Sequence, residues 1–169
     1  MPFLLNTVIM SKRVYILILF SLLFATPAMA QVKKVYDEDI NPMEQIDAAL
    51  SQAREEGKYV LCQVGGNWCP WCLRFAEFAD TNKAVRTTID KNFVYIHINY
   101  SKGHTNPEAM KFLDNPARFG FPVFVILDQE GKRLHTQNSA YLEEGKGYSE
   151  KKVNEFLLNW TPEAVNTLK

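Results

Sequence analysis

The sequence predicts an α/β fold in which a mixed β-sheet is flanked by helices. Short apolar stretches of the kind found in buried strands alternate with stretches whose apolar residues recur at helical spacing. A strand, a helix and a second strand in that order predict parallel neighbours joined by a crossover. The last two strand-like stretches are separated only by a turn at residues 128–132, which predicts an antiparallel hairpin at one edge.

The first thirty residues have the pattern of a secretory signal peptide. Lys12 and Arg13 precede a predominantly apolar run without charged residues at 14–25, and Ala-Met-Ala at 28–30 is a small-residue cleavage site. The alternative is a membrane anchor, but the apolar run is shorter than the roughly 20 residues that a spanning helix needs. We therefore expect export to the periplasm or another extracytoplasmic compartment, with no stable membrane span.

The expected domain organisation follows from that cleavage site. Cleavage after Ala30 leaves 139 residues, the length of one ordinary domain. Residues 1–9 fit poorly as the charged start of a signal peptide, so a start at Met10 stays open. Four parts are expected: a signal peptide at 1–30, a flexible segment at 31–40, a folded domain at 41–162 and a tail at 163–169.

The charge balance gives no sign of a polyanionic partner. The whole chain has 19 basic and 19 acidic residues. Residues 1–30 hold two of the basic residues and none of the acidic ones, so the exported chain carries 17 against 19, a formal net charge of −2. We therefore expect binding neither to nucleic acid nor to an anionic membrane surface.

The first half of the domain predicts three helices and two strands. Asn41 is a candidate N-cap, Pro42 a favourable first residue and Gly57 a stop signal for a helix at 42–56. The stretch 58–64 is apolar nearly throughout, as in a strand buried on both faces. The next elements are a helix that contains the cysteine pair, a helix at 81–90 and a strand at 92–98.

The second half predicts two more strands and a final helix. A connection at 100–120, with a short helix at 107–113, leads to strands at 121–127 and 132–137. Gly131 lies in the turn between them and is free to take a positive φ. The last elements are a polar loop at 138–148 and a helix that Ser149 caps and Pro162 ends, with Val153, Phe156, Leu157 and Trp160 on one stripe.

Cys69 and Cys72 are the candidate catalytic residues. They flank Pro70 and Trp71 where the first strand gives way to a helix. Cys69 is therefore expected at or near a helix N-terminus, whose unpaired N–H groups and positive dipole end favour a thiolate. Pro70 is harmless there, because its missing N–H would be idle in the first turn. The expected division of labour makes Cys69 the attacking sulfur and Cys72 the sulfur that closes on it and releases the partner.

Other uses of a Cys-x-x-Cys pair fit the sequence less well. A four-ligand zinc site needs two more ligands, whereas Cys62 lies within a strand and the three histidines are scattered. Haem attachment needs a histidine after the second cysteine, and that residue is Leu73. A purely structural disulfide that closes so small a loop would add little stability. Cys62 itself is expected to be an apolar core residue rather than a redox group.

Phe121 and Pro122 are candidates for contact with a substrate protein. A proline within a sheet loses a ladder hydrogen bond, so it belongs at a strand start or bend. If the peptide bond before Pro122 is cis, a loop beside the dithiol would expose backbone groups of Phe121 to an extended partner strand. On the residues alone, a trans proline that merely begins a strand stays open.

Three features together resemble the thioredoxin superfamily: Trp-Cys-Pro-Trp-Cys after an apolar strand, Gly-Phe-Pro before a later strand, and a terminal amphipathic helix. In particular, residues 40–160 resemble exported thioredoxin-like proteins of the disulfide isomerase type. The resemblance implies a thioredoxin-like fold with a central mixed sheet of four to five strands. It also implies Cys69 as nucleophile, Cys72 as resolving thiol and Pro122 as a cis-proline. The substrate-binding surface that it implies consists of Trp68, Pro70, Trp71, Phe121 and Pro122.

Two departures from the family pattern concern the redox chemistry. Thioredoxin has Gly-Pro between its cysteines, whereas this chain has Pro70 and Trp71, so the redox potential does not carry over. Thioredoxin also has a buried aspartate six residues before the first cysteine, where this chain has Gln63. An amide does not accept the proton of Cys72 as a carboxylate would. The nearest acids in sequence are expected to be solvated surface groups: Glu77 and Asp80.

The expected function is that of an exported thiol–disulfide oxidoreductase that reduces or isomerises protein disulfides. Oxidation is a third direction, but no inserted helical domain of the strongly oxidising exported type is visible. The expected partners are disulfide-containing client proteins and an upstream thiol protein, because the glutathione pool does not keep a dithiol reduced outside the cytoplasm. No cofactor or metal is expected beyond the redox-active cysteine pair, and the absence of an added dimerisation domain favours a monomer.

Two functions of other classes stay open on the sequence. One is a non-catalytic binding or folding-helper module that keeps the same architecture. The other is a copper metallochaperone, because soft thiolates such as those of Cys69 and Cys72 suit Cu(I). No nearby methionine or histidine completes such a copper site in the sequence.

Overall fold

Four strands form the central sheet of the structure, a computed structural model that describes residues 34–167. The strands are β1 (Tyr59–Gly65), β2 (Phe93–Asn99), β3 (Val123–Leu127) and β4 (Arg133–Asn138), in the spatial order β2-β1-β3-β4. β1 and β2 are parallel, whereas β3 is antiparallel to both β1 and β4. The predicted mixed α/β sheet is therefore confirmed.

The direction of β3 differs from what the strand–helix–strand alternation alone predicts. A crossover to a parallel β3 would have to return along the whole length of the sheet, about 23 Å for a seven-residue strand. The helix in this connection, α4 (Pro107–Phe112), has six residues and rises only about 9 Å. Because β2 is parallel to β1 and β3 is antiparallel to it, β3 starts from the end of the sheet at which β2 finishes.

Helix α1 (Pro42–Glu56) has the bounds that the sequence predicts. Asn41 accepts a hydrogen bond from the backbone N–H of Met43 at 2.9 Å, and Gly57 ends the helix with a φ of +68°. The buried stripe of α1 packs on the face of β1 that carries Val60, Cys62 and Val64. This half of the core includes the α1 residues Ile46, Ala49, Leu50 and Ala53.

The opposite face of the sheet is covered by helices α2 (Pro70–Thr81), α3 (Lys83–Asn92) and α5 (Glu150–Asn159). Aromatic rings fill this half of the core. Phe75 of α2 lies 4.3 Å from Phe124 of β3 and 4.9 Å from Tyr148, between ring centroids. The core therefore consists of an aliphatic layer beneath α1 and an aromatic layer beneath the cysteine-bearing helix.

The segment predicted as a polar loop at 138–148 contains regular structure. A 3₁₀ turn at Ser139–Leu142 leads into a small hairpin of β5 (Glu143–Glu144) and β6 (Gly147–Tyr148). The final helix ends at Asn159, and Pro162 then begins a further short helix, α6 (Pro162–Asn166), where a tail is expected. A proline that cannot continue one helix suits the first turn of the next.

One side chain of the segment before α1 packs against the domain, within the described residues 34–40. Tyr36 has no exposed surface. Asn67 holds the neighbouring backbone: its Oδ1 accepts from the N–H groups of Val35 and Tyr36, each at 3.1 Å, and its Nδ2 donates to the Tyr36 carbonyl at 2.7 Å. The sequence of this segment is polar and without period, so its one buried side chain leaves no pattern.

The predicted signal peptide at 1–30 lies outside the described residues. Within residues 34–167, no helix combines the length and the apolar character needed to cross a bilayer.

The 3₁₀ turn at Pro116–Phe119 completes the set of described elements before β3.

The N-cap of α1 gives a first prediction. We expect Asn41→Ala to lower the free energy of unfolding by about 1 kcal/mol, because the N–H of Met43 loses its acceptor. Urea denaturation measures the change. Ser149→Ala is the matched control, since Ser149 begins α5 without a side-chain capping hydrogen bond. Equal losses in the two variants would contradict the capping role of Asn41.

Candidate redox-active site

Cys69 and Cys72 form a disulfide at the N-terminus of α2, with 5.2 Å between their Cα atoms. Cys69 is the N-cap residue, and its sulfur accepts a hydrogen bond from the backbone N–H of Cys72 at 3.2 Å. Pro70 occupies the first helical position. Cys72 has no exposed surface, and 4% of Cys69 is exposed. The predicted arrangement of the two cysteines at a strand–helix junction is present.

The position of Cys69 favours its ionised form. The first N–H groups of a helix and the positive end of its dipole stabilise a nearby anion. No acidic residue lies in the first turn of α2 to oppose that effect. A thiolate at Cys69 would therefore form more readily than in an unstructured peptide.

The loop before β3 contributes the second part of the site. The Phe121–Pro122 peptide bond is cis, as the resemblance to the thioredoxin superfamily implies. Pro122 is buried, and Phe121 packs against the cluster formed by Cys69, Cys72 and Tyr36. The loop therefore lies beside the disulfide.

Three aromatic side chains form a surface next to the disulfide, here called the aromatic platform: Trp68, Tyr100 and Phe121. The Trp68 ring is 54% exposed, meets Phe121 edge to face at 5.5 Å, and donates from its Nε1 to the Tyr100 carbonyl at 2.7 Å. Tyr100 stacks on Phe121 at 4.9 Å. Sequence reasoning missed Tyr100. Its position directly after the second strand is the feature that could have identified it as a site residue.

Trp71, between the two cysteines, is supported from the other side of the helix turn. Tyr148 meets its ring edge to face at 5.6 Å and donates a hydrogen bond to its carbonyl at 3.2 Å. The Arg74 guanidinium lies over the Trp71 ring, 4.7 Å from the centroid. Pro70 is exposed. Of the predicted surface residues, Trp71 and Phe121 pack against the cluster that contains Cys69 and Cys72.

Gln63, which stands where thioredoxin has an aspartate, is fully buried on β1. Its Nε2 donates to the Cys72 carbonyl at 3.0 Å and to the Tyr36 hydroxyl. Its Oε1 accepts from the Tyr95 hydroxyl. Both ends of the amide are therefore paired, as a buried amide requires.

Tyr36 is a second residue of the site that sequence reasoning missed. Its ring belongs to the same buried cluster as Cys69 and Cys72. Its hydroxyl and the Cys72 sulfur converge on the Cα of Gly65: a β-carbon there would lie 2.9 Å from the hydroxyl and 2.5 Å from the sulfur. Burial raises the pKa of Tyr36 well above that of a free tyrosine, so the phenol stays protonated.

Two polar side chains of β2 lie on the same sheet face as Gln63. His97 is the register partner of Gln63, and its ring contacts Tyr36 at 5.4 Å and Tyr95 at 4.6 Å. Burial lowers the pKa of His97 to about 4, so the imidazole is neutral near pH 7. The side chains of Tyr36, Tyr95 and His97, all uncharged near neutral pH, therefore surround the side-chain amide of Gln63.

The other candidate groups lie apart from this site. Cys62 is fully buried in the aliphatic layer, where burial raises the pKa of its thiol, so its predicted core role is confirmed. Glu77 and Asp80 are exposed, and Asp80 pairs with Arg86. Across residues 34–167, no three His, Cys, Asp or Glu side chains come together in a group that could hold a metal ion.

A family model described as thioredoxin-like matches residues 41–129, more than half of the 169-residue chain. The thiol:disulfide interchange protein DsbD of Vibrio cholerae serotype O1 (strain ATCC 39315 / El Tor Inaba N16961) is 23% identical over 107 residues. That match covers 63% of this chain and 17% of the relative, so the chain spans less than a fifth of the relative's length.

A solved structure shares the fold. The disulphide isomerase from Xylella fastidiosa Temecula1 superposes with a TM-score of 0.65 at 24% sequence identity. The superposition covers 73% of this chain and 94% of that chain. The central sheet and its helices therefore have the architecture of that protein.

Gly65 gives a prediction about the space around the disulfide. We expect Gly65→Ala to lower the free energy of unfolding of the oxidised protein by about 1–3 kcal/mol, because the new methyl group overlaps the Cys72 sulfur. Thermal unfolding measures the change. Gly103→Ala is the control, since a β-carbon at Gly103 meets nothing within 4 Å. An unchanged Gly65→Ala variant would show that the site is not closely packed there.

Proposed function

The chain belongs to the thioredoxin-like family, as its sequence resemblance implies, and we propose from that premise that it reduces or isomerises disulfides of other proteins. The observation that carries this proposal is the Cys69–Cys72 disulfide, with Cys69 as the N-cap of α2 and Cys72 one turn further in. This arrangement supports Cys69, which has the small exposed fraction, as the sulfur that attacks and Cys72 as the sulfur that displaces the product.

The proposed reduction has two steps. The Cys69 thiolate attacks one sulfur of the client disulfide; an S–S bond forms between Cys69 and the client, and the client's own S–S bond breaks. The Cys72 sulfur, after losing its proton, then attacks Cys69, forms the Cys69–Cys72 disulfide and releases the second client thiol. Two electrons and two protons pass from the dithiol to the client. For isomerisation, a client thiol attacks the mixed disulfide instead and frees Cys69.

The aromatic platform and its surroundings are proposed to bind the client chain. Phe121 offers backbone groups for strand-like pairing, and Trp68 offers an exposed ring for apolar contact. Pro70 and Trp71 complete the proposed surface on the helix side, and the cis-proline Pro122 completes it on the loop side. Recognition of this kind places few demands on client side chains, which suits an enzyme with many clients.

The proposed partners are disulfide-bonded client proteins and a thiol protein that restores the dithiol. The reaction needs only the two cysteines and no further cofactor. We propose that the protein acts as a monomer. We also propose that it acts outside the cytoplasm, which is supported by the pattern of a signal peptide at 1–30. In an oxidising compartment the dithiol has to be reduced by such a partner.

The roles of the two cysteines predict a distinctive pair of variants. We expect Cys69→Ser to abolish insulin reduction, and Cys72→Ser to accumulate a mixed disulfide with the client, visible on a non-reducing gel. Cys62→Ala is the control and should keep activity, because Cys62 lies in the aliphatic layer. Activity of Cys69→Ser equal to wild type would reject the nucleophile, and the absence of activity in wild type would favour a binding module or a copper carrier.

The aromatic platform predicts a change in client affinity. We expect Trp68→Ala to raise the KM for a peptide disulfide by about fivefold to tenfold with little change in kcat, because an exposed aromatic anchor is lost. Tyr141→Ala is the control, since Tyr141 is 74% exposed and lies outside the platform. A KM that responds equally to both variants would contradict a specific role of Trp68.

A further inference from the structure

We propose that Tyr36 donates a hydrogen bond to the Cys72 sulfur and thereby stabilises the thiolate that forms in the second step. This inference rests on the proposed function, because the second step belongs to that reaction. It concerns a residue outside the stretch matched by the family, residues 41–129.

The second step poses a problem in this chain. Cys72 has no exposed surface, and burial in apolar surroundings disfavours a thiolate. Gln63, which stands where thioredoxin has an aspartate, is an amide and does not accept a proton. Glu77 and Asp80 are exposed on the far part of α2. The thiolate therefore has to be stabilised by a neutral donor.

Tyr36 has the position that such a donor needs. Asn67, two residues before Cys69, binds the backbone N–H groups of Val35 and Tyr36 and the Tyr36 carbonyl. The segment is thus attached to the loop that carries the disulfide. The Tyr36 hydroxyl and the Cys72 sulfur face the same bare Cα of Gly65, which leaves both atoms the space to approach.

The directions of the surrounding hydrogen bonds leave the hydroxyl proton of Tyr36 available to the Cys72 sulfur. Tyr95 donates its proton to Gln63 Oε1, and Gln63 Nε2 donates to the Tyr36 oxygen. The second Nε2 proton goes to the Cys72 carbonyl at 3.0 Å. Because Tyr36 already accepts from Gln63, its own O–H is available as a donor toward Cys72. Successive donors in such a chain polarise one another.

The reaction step balances without ionisation of Tyr36. The Cys72 proton leaves through solvent and is taken up by the departing client thiolate. The Cys72 sulfur forms its bond to Cys69 as the bond between Cys69 and the client breaks. Tyr36 keeps its proton throughout, since burial holds its pKa above the ordinary tyrosine value. Its hydrogen bond strengthens as charge develops on sulfur and is lost when the new disulfide forms.

The direct test is a titration that requires no turnover. In a Cys69→Ser background, the ultraviolet absorbance of the thiolate reports the pKa of Cys72, with the Cys69→Ser, Cys72→Ser protein as the blank. We expect Tyr36→Phe to raise that pKa by about one unit, because a hydrogen bond to a charged sulfur is lost while the ring stays. An unchanged pKa overturns the proposal, whether or not the wild-type protein reduces insulin.

A single-turnover experiment on the full chain supplies the second readout. We expect Tyr36→Phe to leave formation of the mixed disulfide within about twofold and to slow its resolution about tenfold. Tyr95→Phe is the matched control: it also removes a phenol bound to Gln63, but at the oxygen end of the amide, and should have the smaller effect. Equal effects of the two variants would overturn the assignment to Tyr36.

A further variant covers the case in which Tyr36→Phe does not fold. Asn67→Ala keeps the Tyr36 hydroxyl and removes the side chain that holds residues 35 and 36 in place. We expect the Cys72 pKa to rise in the same direction in this protein, with circular dichroism confirming the folded state. A folded Asn67→Ala protein with the wild-type Cys72 pKa would count against the proposal.

Discussion

The side-chain amide of Gln63 is the interaction on which the site depends. From β1 it reaches α2 at the Cys72 carbonyl, the N-terminal segment at Tyr36 and β2 at Tyr95. Because a buried group left unpaired costs about 1–3 kcal/mol, these four segments are held in one arrangement. A carboxylate at this place would be a buried charge, whereas the amide is neutral and acts by orienting its neighbours. The chemistry then depends on donors with fixed directions rather than on a titrating acid.

The parts of the site that the sequence predicts are those set by local spacing. Cys69 and Cys72 stand three residues apart at a strand–helix junction, so the position of one at the N-terminus of α2 follows from the chain alone. Helix α1 is similar, since Asn41 and Gly57 mark its two ends. In each case the physical cause, a cap or a helix dipole, acts within a few residues of the motif.

The parts that the sequence does not predict depend on contacts between distant segments. Tyr36 lies in a polar stretch without period, and its burial comes from Asn67, about thirty residues along the chain. The strands β5 and β6 have two residues each, too few for alternation to be recognised. The direction of β3 depends on how far its connection travels, which residue types do not encode. Tyr100 joins the platform only because β2 ends beside the cis-proline loop.

The separation of Cys62 from the other two cysteines has a practical consequence. Cys62 points into the aliphatic layer, whereas Cys69 and Cys72 lie on the opposite side of the sheet. Cys62 and Cys72 have no exposed surface, so a reagent that counts accessible sulfhydryls in the native protein reads the redox state of the pair through Cys69. In denaturant the same count includes Cys62, so one colorimetric assay reports both oxidation and loss of structure.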